Sequence, residues 1–318
     1  MEKKVCIIIP VKSVSSKFEA CLQSLFNLDY TNFDVIVVDD SENGSLGIPA
    51  DNCTYKIKIL RSRGKGPSYA RNLAAKNTDA LFLAFTDSDC IVDENWLKEL
   101  FKGFEKFSEA AACGGIQKIP EDASVFEKKV FRFMERIGFI TDYIKKSGSE
   151  NILEVVHNAS CCAMYRKDVF LKEGGFLEGL WPGEDVELDY RLRKKGYKLY
   201  FNPKAIVYHY RPENLKGFLK MMYRYGLSCG LLTKMYGIFR KIQILPLLTA
   251  CGAGLLVLSL PLHFLHYLLI IIGVSLFGFL LYLCFNFYVF FLSCLALVLW
   301  NLGFISGIFS YQKRLADK

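Results

Sequence analysis

The 318-residue sequence predicts an α/β domain with a mostly parallel sheet flanked by helices, followed by a helix at the membrane interface and by C-terminal transmembrane helices. Two patterns lead to this fold class. Short apolar runs typical of buried strands alternate with helical spacing in the first part of the chain, which indicates a mostly parallel sheet covered on both faces. Residues 242–312 contain no Asp, Glu, Lys or Arg, and this stretch is several times the roughly 20 residues that cross a bilayer.

The first part of the chain predicts strands and helices in alternation. Apolar runs place strands at residues 5–9, 35–38, 57–60 and 81–85. Apolar residues at helical spacing place helices at 18–25, 67–74 and 96–104, the second with Pro67 in its first turn. Because ligands of such sheets bind beyond the carboxyl ends of the strands, the polar residues that follow these strands are candidate site residues.

The second half is less regular. The pattern predicts an amphipathic helix at 124–144, a strand at 160–165, a short helix at 168–172, a helix at 183–195 and short strands at 199–201 and 206–208. Gly196 is expected to end the helix at 183–195. Residues 215–236 mix basic and apolar side chains at helical spacing just before the apolar region, so we expect this helix to lie in the membrane interface.

The apolar region divides most naturally into three spans, at 244–260, 264–284 and 287–309. Three spans place Lys313 and Arg314 outside, against the positive-inside tendency, and an even number with one re-entrant segment is the alternative. The apolar run near the start is too short for a signal-peptide core. We therefore expect a multi-pass protein of the cell membrane with its α/β domain in the cytosol.

Charge and cysteine content support this placement. The net charge is +8, and much of the excess lies beside the apolar region, at Lys216, Lys220, Arg224, Lys234, Arg240, Lys241, Lys313 and Arg314. Attraction to anionic headgroups explains these positions, and no nucleic-acid motif accompanies them, so we expect no nucleic-acid partner. The 11 cysteines follow no disulfide framework, which indicates reduced thiols, and the lack of a C-x-x-C pair argues against a zinc site.

Acidic residues follow two of the predicted strands. Asp87 and Asp89 come after the fourth strand, and their oxygens suit Mg²⁺ or Mn²⁺ bound to a diphosphate, although D-x-D also occurs in solvated loops. Asp39 and Asp40 follow the second strand. They are candidates for binding a nucleoside, and capping of the next turn is the alternative.

Further candidates lie at helix starts and at a strand end. Lys65 and Arg71 flank the start of the second helix and are either nucleotide contacts or surface cations. Glu184 and Asp185 open a later helix, where one carboxylate is a candidate general base and capping is the alternative. His209 follows a strand and is either a metal ligand or a structural histidine.

An ordered set of motifs resembles the family 2 glycosyltransferases with the GT-A fold. The motifs are residues 5–10, Asp39-Asp40, Ala70-Arg71-Asn72, Asp87-x-Asp89, Gly174-Gly175-Phe176 and residues 183–188. The resemblance implies an inverting transferase that uses a nucleotide-sugar. It implies a nucleoside at Asp40 and Arg71, nucleotide and metal at Asp87 and Asp89, and Asp185 as catalytic base.

The sequence departs from the family pattern in two places. The usual Pro-x-Tyr-Asn after the first strand is Pro10-Val11-Lys12 here, and we keep Pro10 among the candidate nucleotide-sugar contacts. The Q-x-x-R-W of processive synthases has no match, the nearest segment being 221–225. Transfer of one sugar to a membrane lipid or lipid-linked glycan therefore fits better than a processive synthase. A silent sugar-nucleotide-binding protein and a nucleotidyltransferase are further alternatives, and UDP is the default nucleotide with GDP as alternative.

These features define a domain organisation. Residues 1–212 form the GT-A glycosyltransferase domain, with a nucleotide-sugar half at 1–112 and an acceptor half at 113–212. The interfacial helix is 213–241, the transmembrane region is 242–312 with about three spans, and the basic tail is 313–318.

Overall fold

The computed structural model describes residues 2–43, 46–47, 55, 57–137, 151–284 and 287–310. The chain separates into two compact units. The first comprises residues 1–123 and 138–211, and the second comprises 124–137 and 212–318. The predicted helical residues 138–144 and the basic tail 313–318 lie outside the described residues.

The strands of the described chain all belong to one sheet in the first unit. They are β1 Val5–Val11, β2 Phe33–Asp39, β3 Ile57–Arg61, β4 Phe82–Phe85, β5 Cys90–Val92, β6 Ala110–Lys118, β7 Leu153–Val155, β8 Ala163–Arg166 and β9 Lys198–His209. Their order is β3-β2-β1-β4-β8-β6-β9-β5, with β7 paired to β9.

The described helices are distributed over both units. They are α1 Ser16–Ser24, α2 Pro67–Lys76, α3 Trp96–Lys106, α4 Val125–Ile137, α5 Lys167–Lys172, α6 Glu184–Lys194, α7 Leu215–Tyr236, α8 Ile244–Leu258, α9 His263–Cys284 and α10 Phe287–Phe309. The helices α1, α2, α3, α5 and α6 belong to the first unit, and the others to the second.

The strand directions bring several chain segments to one edge of the sheet. Strands β1 to β4 are parallel, as predicted, whereas β8 runs antiparallel to β4 and to β6. Because β9 is parallel to β6, its end at His209 reaches the same edge as the ends of β2 and β4. Strand β5 runs back along β9, and Cys90 is the register partner of His209.

Both faces of the sheet are covered by apolar side chains. On one face, alternate residues of β1 such as Ile7 pack with Phe18 of α1 and Trp96 of α3. On the other face, Ile8 packs with Ala70 of α2 and Phe170 of α5. This two-sided burial explains why the central strands are continuous apolar runs without alternation.

Two strand predictions in the second half are wrong. Residues 160–162 form a 3-10 turn, and the strand expected at 160–165 begins only at Ala163. The two short strands expected at 199–201 and 206–208 are one strand, β9. Pro203 suggests a break, but the sheet absorbs it through a register shift between Gly115 and Ile116 of β6.

The sequence also did not predict β5, β6 or β7. Strand β6 is hidden because it is rich in Ala and Gly, which are depleted in strands. Its glycines are required by packing. A Cβ at Gly114 would lie 2.2 Å from Asn158 Oδ1, and one at Gly115 would lie 2.2 Å from the Ala205 carbonyl oxygen.

The second unit is held together by close packing of α7 on α10. A Cβ at Gly226 or Gly230 of α7 would lie about 2 Å from a carbonyl oxygen of α10, at 2.1 Å from Trp300 and 2.2 Å from Phe304. The relationship is reciprocal, because a Cβ at Gly303 would lie 2.1 Å from the Tyr223 carbonyl oxygen. Small residues in helices let two backbones approach in this way. The interfacial position expected for α7 stays a prediction.

Among the residues that the structure describes, two helices are long and apolar enough to cross a membrane, judged by length and composition. They are Lys241–Leu258 and Tyr288–Phe309, and a shorter apolar helix covers His263–Gly278. Large apolar side chains are exposed between them, including Phe264 at 84%. This supports membrane association, and the three-span arrangement stays a prediction.

Candidate active site

The two carboxylates after β2 are both engaged by their own loops. Asp39 Oδ1 accepts hydrogen bonds from the Ser41 amide and hydroxyl, and Oδ2 accepts one from the Leu46 amide. Although burial opposes it, these hydrogen bonds lower the pKa of Asp39. Asp40 Oδ1 accepts from Ser62 Oγ at 2.6 Å and from the Gly66 amide at 3.1 Å. Asp40 therefore connects the end of β2 to the residue that precedes α2.

Two other candidates for nucleotide-sugar binding lie nearby in the chain. Pro10 is buried in β1 opposite Val38. Lys65 is exposed, with its Nζ 4.4 Å from the centre of the Tyr69 ring. A role of either residue in donor binding stays a prediction.

Arg71 lies at the centre of the site. Its Nη1 donates to Glu184 Oε1 at 2.7 Å, and its Nη2 donates to Asp87 Oδ1 at 2.5 Å. Arg71 and Glu184 are buried, whereas the Asp87 side chain is 28% exposed. The arginine thus connects the acidic end of β4 to the start of α6. The surface-cation alternative for Arg71 is excluded by this burial.

The start of α6 presents two carboxylates in different environments. Gly183 precedes the helix with φ of 98°, a left-handed conformation that glycine adopts readily. The Glu184 side chain is buried, and its Oε1 also accepts a hydrogen bond from Ser160 Oγ at 3.3 Å. Asp185 accepts from the Ser160 amide at 3.0 Å and from the Val186 amide at 2.7 Å. Backbone donors thus orient Asp185 and leave lone pairs on its oxygens for a further proton.

Burial and the neighbouring Asp185 raise the pKa of Glu184 to about 7, against the lowering effect of Arg71. Perturbed carboxyl groups of this kind are frequent at functional sites.

His157 links Asp185 to a second buried carboxylate. Its Nδ1 lies 2.9 Å from Asp189 Oδ2, and its Nε2 lies 4.0 Å from Asp185 Oδ2. Asp189 is fully buried and also accepts from Tyr165 Oη at 2.9 Å and from the Asn158 amide at 2.6 Å. The arrangement fixes the imidazole ring and directs one nitrogen toward Asp185.

The end of β9 meets the acidic loop after β4. His209 Nε2 lies 3.4 Å from Asp89 Oδ1, and one ligand atom from each of Asp87, Asp89 and His209 lies within 4.8 Å of the others. Although burial opposes it, the adjacent His209 lowers the pKa of Asp89. Two carboxylates and an imidazole are suitable ligands for a divalent cation.

Gln117 determines which imidazole nitrogen of His209 can bind a metal. Arg211 Nη2 donates to Gln117 Oε1 at 2.7 Å, so the atom that faces both residues is an acceptor oxygen. His209 Nδ1 lies 3.3 Å from the same oxygen and must act as its donor. In the neutral ring the free lone pair is then on Nε2, the nitrogen that faces Asp89.

Sequence reasoning found most of these residues but not their partners. His157 and Gln117 were missed because neither follows an obvious strand end. The scarcity of histidine, with 4 in the chain, is the one signal that could have drawn attention to His157.

Residues 6–174, more than half of the chain, match the sequence model of glycosyl transferase family 2. The chain belongs to this family. Its activity is therefore transfer of a sugar from a nucleotide-sugar donor. The matched range contains Arg71, Asp87 and Asp89, whereas the start of α6 and His209 lie beyond it.

Two curated relatives of this family 2 glycosyltransferase cover similar shares of its chain. One relative is the dolichyl N-acetyl-alpha-D-glucosaminyl phosphate 3-beta-D-2,3-diacetamido-2,3-dideoxy-beta-D-glucuronosyltransferase of Methanococcus voltae. The two sequences are 26% identical over 254 residues, and this match covers 76% of this chain and 77% of that protein. The other relative is the pre-mycofactocin glycosyltransferase of Mycobacterium tuberculosis (strain CDC 1551 / Oshkosh). The two sequences are 29% identical over 235 residues, and this match covers 72% of this chain and 47% of that protein. The chain thus spans about half the length of the second relative.

A solved structure similar to this glycosyltransferase is the mannosyltransferase PcManGT from Pyrobaculum calidifontis in complex with GDP-Man and Mn²⁺. The TM-score is 0.66 at 15% identity, and the match covers 98% of this chain and 89% of that one. The likeness shows the GT-A fold predicted from the sequence.

Proposed function

We propose that the enzyme is an inverting, metal-dependent transferase that moves a hexosyl group from a nucleoside-diphosphate sugar to a membrane lipid or lipid-linked glycan at the cytosolic membrane face. The donor nucleotide is taken as UDP. The observation that carries the proposal is the direct connection, through Arg71, between the acidic group at Asp87 and Asp89 and the carboxylates that open α6. Arg71 would then lie between the group that binds the donor phosphate and the carboxylates that accept the proton of the acceptor.

The residues at the ends of β4 and β9 are suitable ligands for a divalent cation. Asp89, Asp87 and His209 Nε2 would hold Mn²⁺ or Mg²⁺, and Gln117 already keeps the His209 lone pair on the correct nitrogen. A bound cation of this kind neutralises charge on a diphosphate leaving group. The solved mannosyltransferase of the same fold is a complex with Mn²⁺, which supports this part of the proposal.

Asp185 is the proposed general base. Its two backbone hydrogen bonds hold the carboxylate at the start of α6, and it takes the proton of the acceptor hydroxyl as that oxygen attacks the anomeric carbon. Glu184 is less suited to this role because it is 2% exposed and already bound to Arg71. Its proposed task is to hold Arg71 beside Asp87.

Asp40 and Arg71 are the proposed contacts of the nucleoside end of the donor, with Pro10, Asp39 and Lys65 as further candidates.

The acceptor assignment has two supports. The relative from Methanococcus voltae is named for transfer to a dolichyl-phosphate-linked sugar. The apolar helices Lys241–Leu258 and Tyr288–Phe309 would anchor the enzyme beside an acceptor of this kind. Basic residues near these helices favour the cytosolic side.

The test is a screen of nucleotide-sugars with the full chain purified in detergent. Release of nucleoside diphosphate is measured with and without a lipid extract as acceptor, and with Mn²⁺, Mg²⁺ or excess chelator. We expect one donor to be turned over faster with lipid present, and expect turnover to stop in chelator. Full turnover in chelator would remove the metal from the proposal, and lipid-independent turnover of every donor would remove the lipid acceptor.

A further inference from the structure

Two cysteines lie directly behind the proposed metal ligands. One ligand atom from each of Cys90, Cys161 and His209 lies within 4.8 Å of the others. Both cysteine side chains are buried, Cys90 fully and Cys161 with 4% exposure. The two thiols therefore lie beside each other and beside the His209 imidazole. These contacts bring together three elements that are distant in the sequence.

The backbone explains why this group forms. Cys90 begins β5 and is the register partner of His209, the last residue of β9. Cys161 lies in the 3-10 turn Ser160–Cys162 that leads into β8, at the same edge of the sheet. The group is therefore built on strand ends of the core sheet, and rigid elements hold metal sites more precisely than loops do.

We propose that Cys90, Cys161 and His209 form a second metal site, which takes a thiophilic divalent cation such as Zn²⁺. This reverses the expectation drawn from the lack of a C-x-x-C pair, because the fold brings together ligands that are far apart in the sequence. Two thiolates and one imidazole are a common ligand set for zinc. Ligand atoms around tetrahedral zinc lie roughly 3.3–3.8 Å apart, given Zn–S and Zn–N distances of about 2.3 and 2.0 Å. The side chains need only small rotations from the arrangement in the structure to meet these distances.

The ligand chemistry separates this site from the carboxylate site. Soft thiolates select Zn²⁺, whereas carboxylate oxygens suit Mg²⁺ and Mn²⁺. Binding releases the thiol protons, since the thiolate is the ligand. Asp89 Oδ1, which lies 3.4 Å from His209 Nε2, is placed to supply a fourth ligand or to hold a water molecule there.

The two sites compete for His209. With the Nδ1 proton donated to Gln117, the neutral ring has one lone pair and can bind one metal at a time. Zinc held by the thiols therefore withdraws His209 from Asp87 and Asp89 and inhibits transfer. The site itself goes beyond the proposed function, whereas this inhibition rests on it.

Other buried cysteines provide a matched control. Cys162 is the sequence neighbour of Cys161 and is equally buried, but its thiol faces the Ala205 carbonyl oxygen at 3.8 Å. Within the part of the chain that the structure describes, the thiol-containing group with metal-binding geometry is the one at Cys90, Cys161 and His209. Cys162→Ser thus changes a thiol of the same kind without touching the proposed site.

The binding test uses Co²⁺ and Zn²⁺ with the full chain in detergent under reducing conditions. We expect one Co²⁺ per chain to give a thiolate-to-cobalt charge-transfer absorption that Zn²⁺ abolishes. Cys161→Ser and Cys90→Ser should lose it, and Cys162→Ser should keep it. Absence of the band in the unmodified protein, or its persistence in Cys161→Ser, would overturn the site. X-ray absorption of the zinc-loaded unmodified protein needs no variant, and a shell without sulfur would overturn it as well.

The inhibition test compares donor turnover in Mn²⁺ across a range of added Zn²⁺. Cys161→Ser should need at least about tenfold more Zn²⁺ for half-inhibition, because even loss of an outer-shell partner costs about 10–100-fold in metal affinity. Cys162→Ser should behave like the unmodified enzyme. Equal sensitivity of Cys161→Ser would overturn the competition. If no Mn²⁺-dependent turnover exists at all, the proposed function fails, and the absorption measurements still decide the site.

Discussion

The guanidinium of Arg71 lies 2.7 Å from the carboxylate of Glu184, and both side chains are buried although they are 113 residues apart in the sequence. The contact joins α2, which packs on β1 and β2, to the start of α6. Because Arg71 also donates to Asp87, one side chain holds both sides of the site in place. Its loss should therefore affect the fold as well as the chemistry.

Arg71→Met should destabilise the protein strongly. The substitution leaves Glu184 and part of Asp87 without their cationic partner, and breaking a buried ion pair costs about 3–5 kcal/mol. Thermal unfolding in detergent measures the effect. Arg193→Met, at an exposed position of the same helix as Glu184, is the matched control and should change stability by less than about 0.5 kcal/mol. Equal melting temperatures for the two variants would contradict the structural role of Arg71.

Glu184→Gln should alter the pH dependence of stability. Burial and Asp185 raise the pKa of Glu184 to about 7 from its ordinary 4.5. Between these values the folded protein keeps a proton that the unfolded chain has lost. Stability contributed by Glu184 is therefore full below about pH 4.5 and declines as pH rises through about 7.

The measurement is the melting temperature of both proteins between pH 5 and pH 8. We expect the difference between the two proteins to shift in favour of Glu184→Gln as the pH rises, because glutamine does not titrate. The groups that face Glu184 are Arg71, Ser160, Asp185 and Asp87. A constant difference across this range would show that Glu184 has the same pKa in both states.

Asp185→Asn should abolish transfer while donor binding persists. The change removes the basic carboxylate and keeps its size, and general-base catalysis contributes about 10²–10⁴-fold. Asparagine keeps the Oδ1 that accepts from the Val186 amide, and Gly183 still occupies the N-cap of α6, so the helix start should stay intact. Transfer rate and nucleotide-sugar affinity are measured on one preparation. A variant that retains more than about a tenth of the transfer rate would remove Asp185 from the base role.

His157→Gln should reduce the turnover number more than it changes the KM for the donor. His157 touches Asp189 and approaches Asp185, so it acts by positioning the proposed base. The loss should be smaller than the about 10²–10⁴-fold expected for loss of the base itself. The pH profile of turnover should also shift, which a purely structural defect would not produce. An effect confined to the KM for the donor would place His157 in donor binding.

Strands β1, β2 and β4 were predictable because burial on both faces leaves continuous apolar runs, whereas β3 is a partly exposed edge strand with a shorter, interrupted run. Strand β6 was not predictable, because Gly114 and Gly115 are dictated by contacts with Asn158 and Ala205 rather than by strand propensity. The same limit applies to the site. Asp87 and Asp89 are recognisable from their position after β4, whereas the pairing of Arg71 with Glu184 and of Cys90 with His209 arises only from tertiary contacts.

Gly303→Ala should destabilise the second unit. A Cβ at this position would lie 2.1 Å from the Tyr223 carbonyl oxygen, so α7 and α10 must move apart. Overpacking of this kind costs about 1–3 kcal/mol. The matched control is Gly273→Ala in α9, where an added Cβ meets no described atom within 4 Å. Alanine is the better helix former by about 1 kcal/mol, so the control should be neutral or slightly stabilising. Unfolding of both variants in the same detergent gives the comparison. Similar changes in the two variants would show that the close approach of α7 and α10 does not exist in solution.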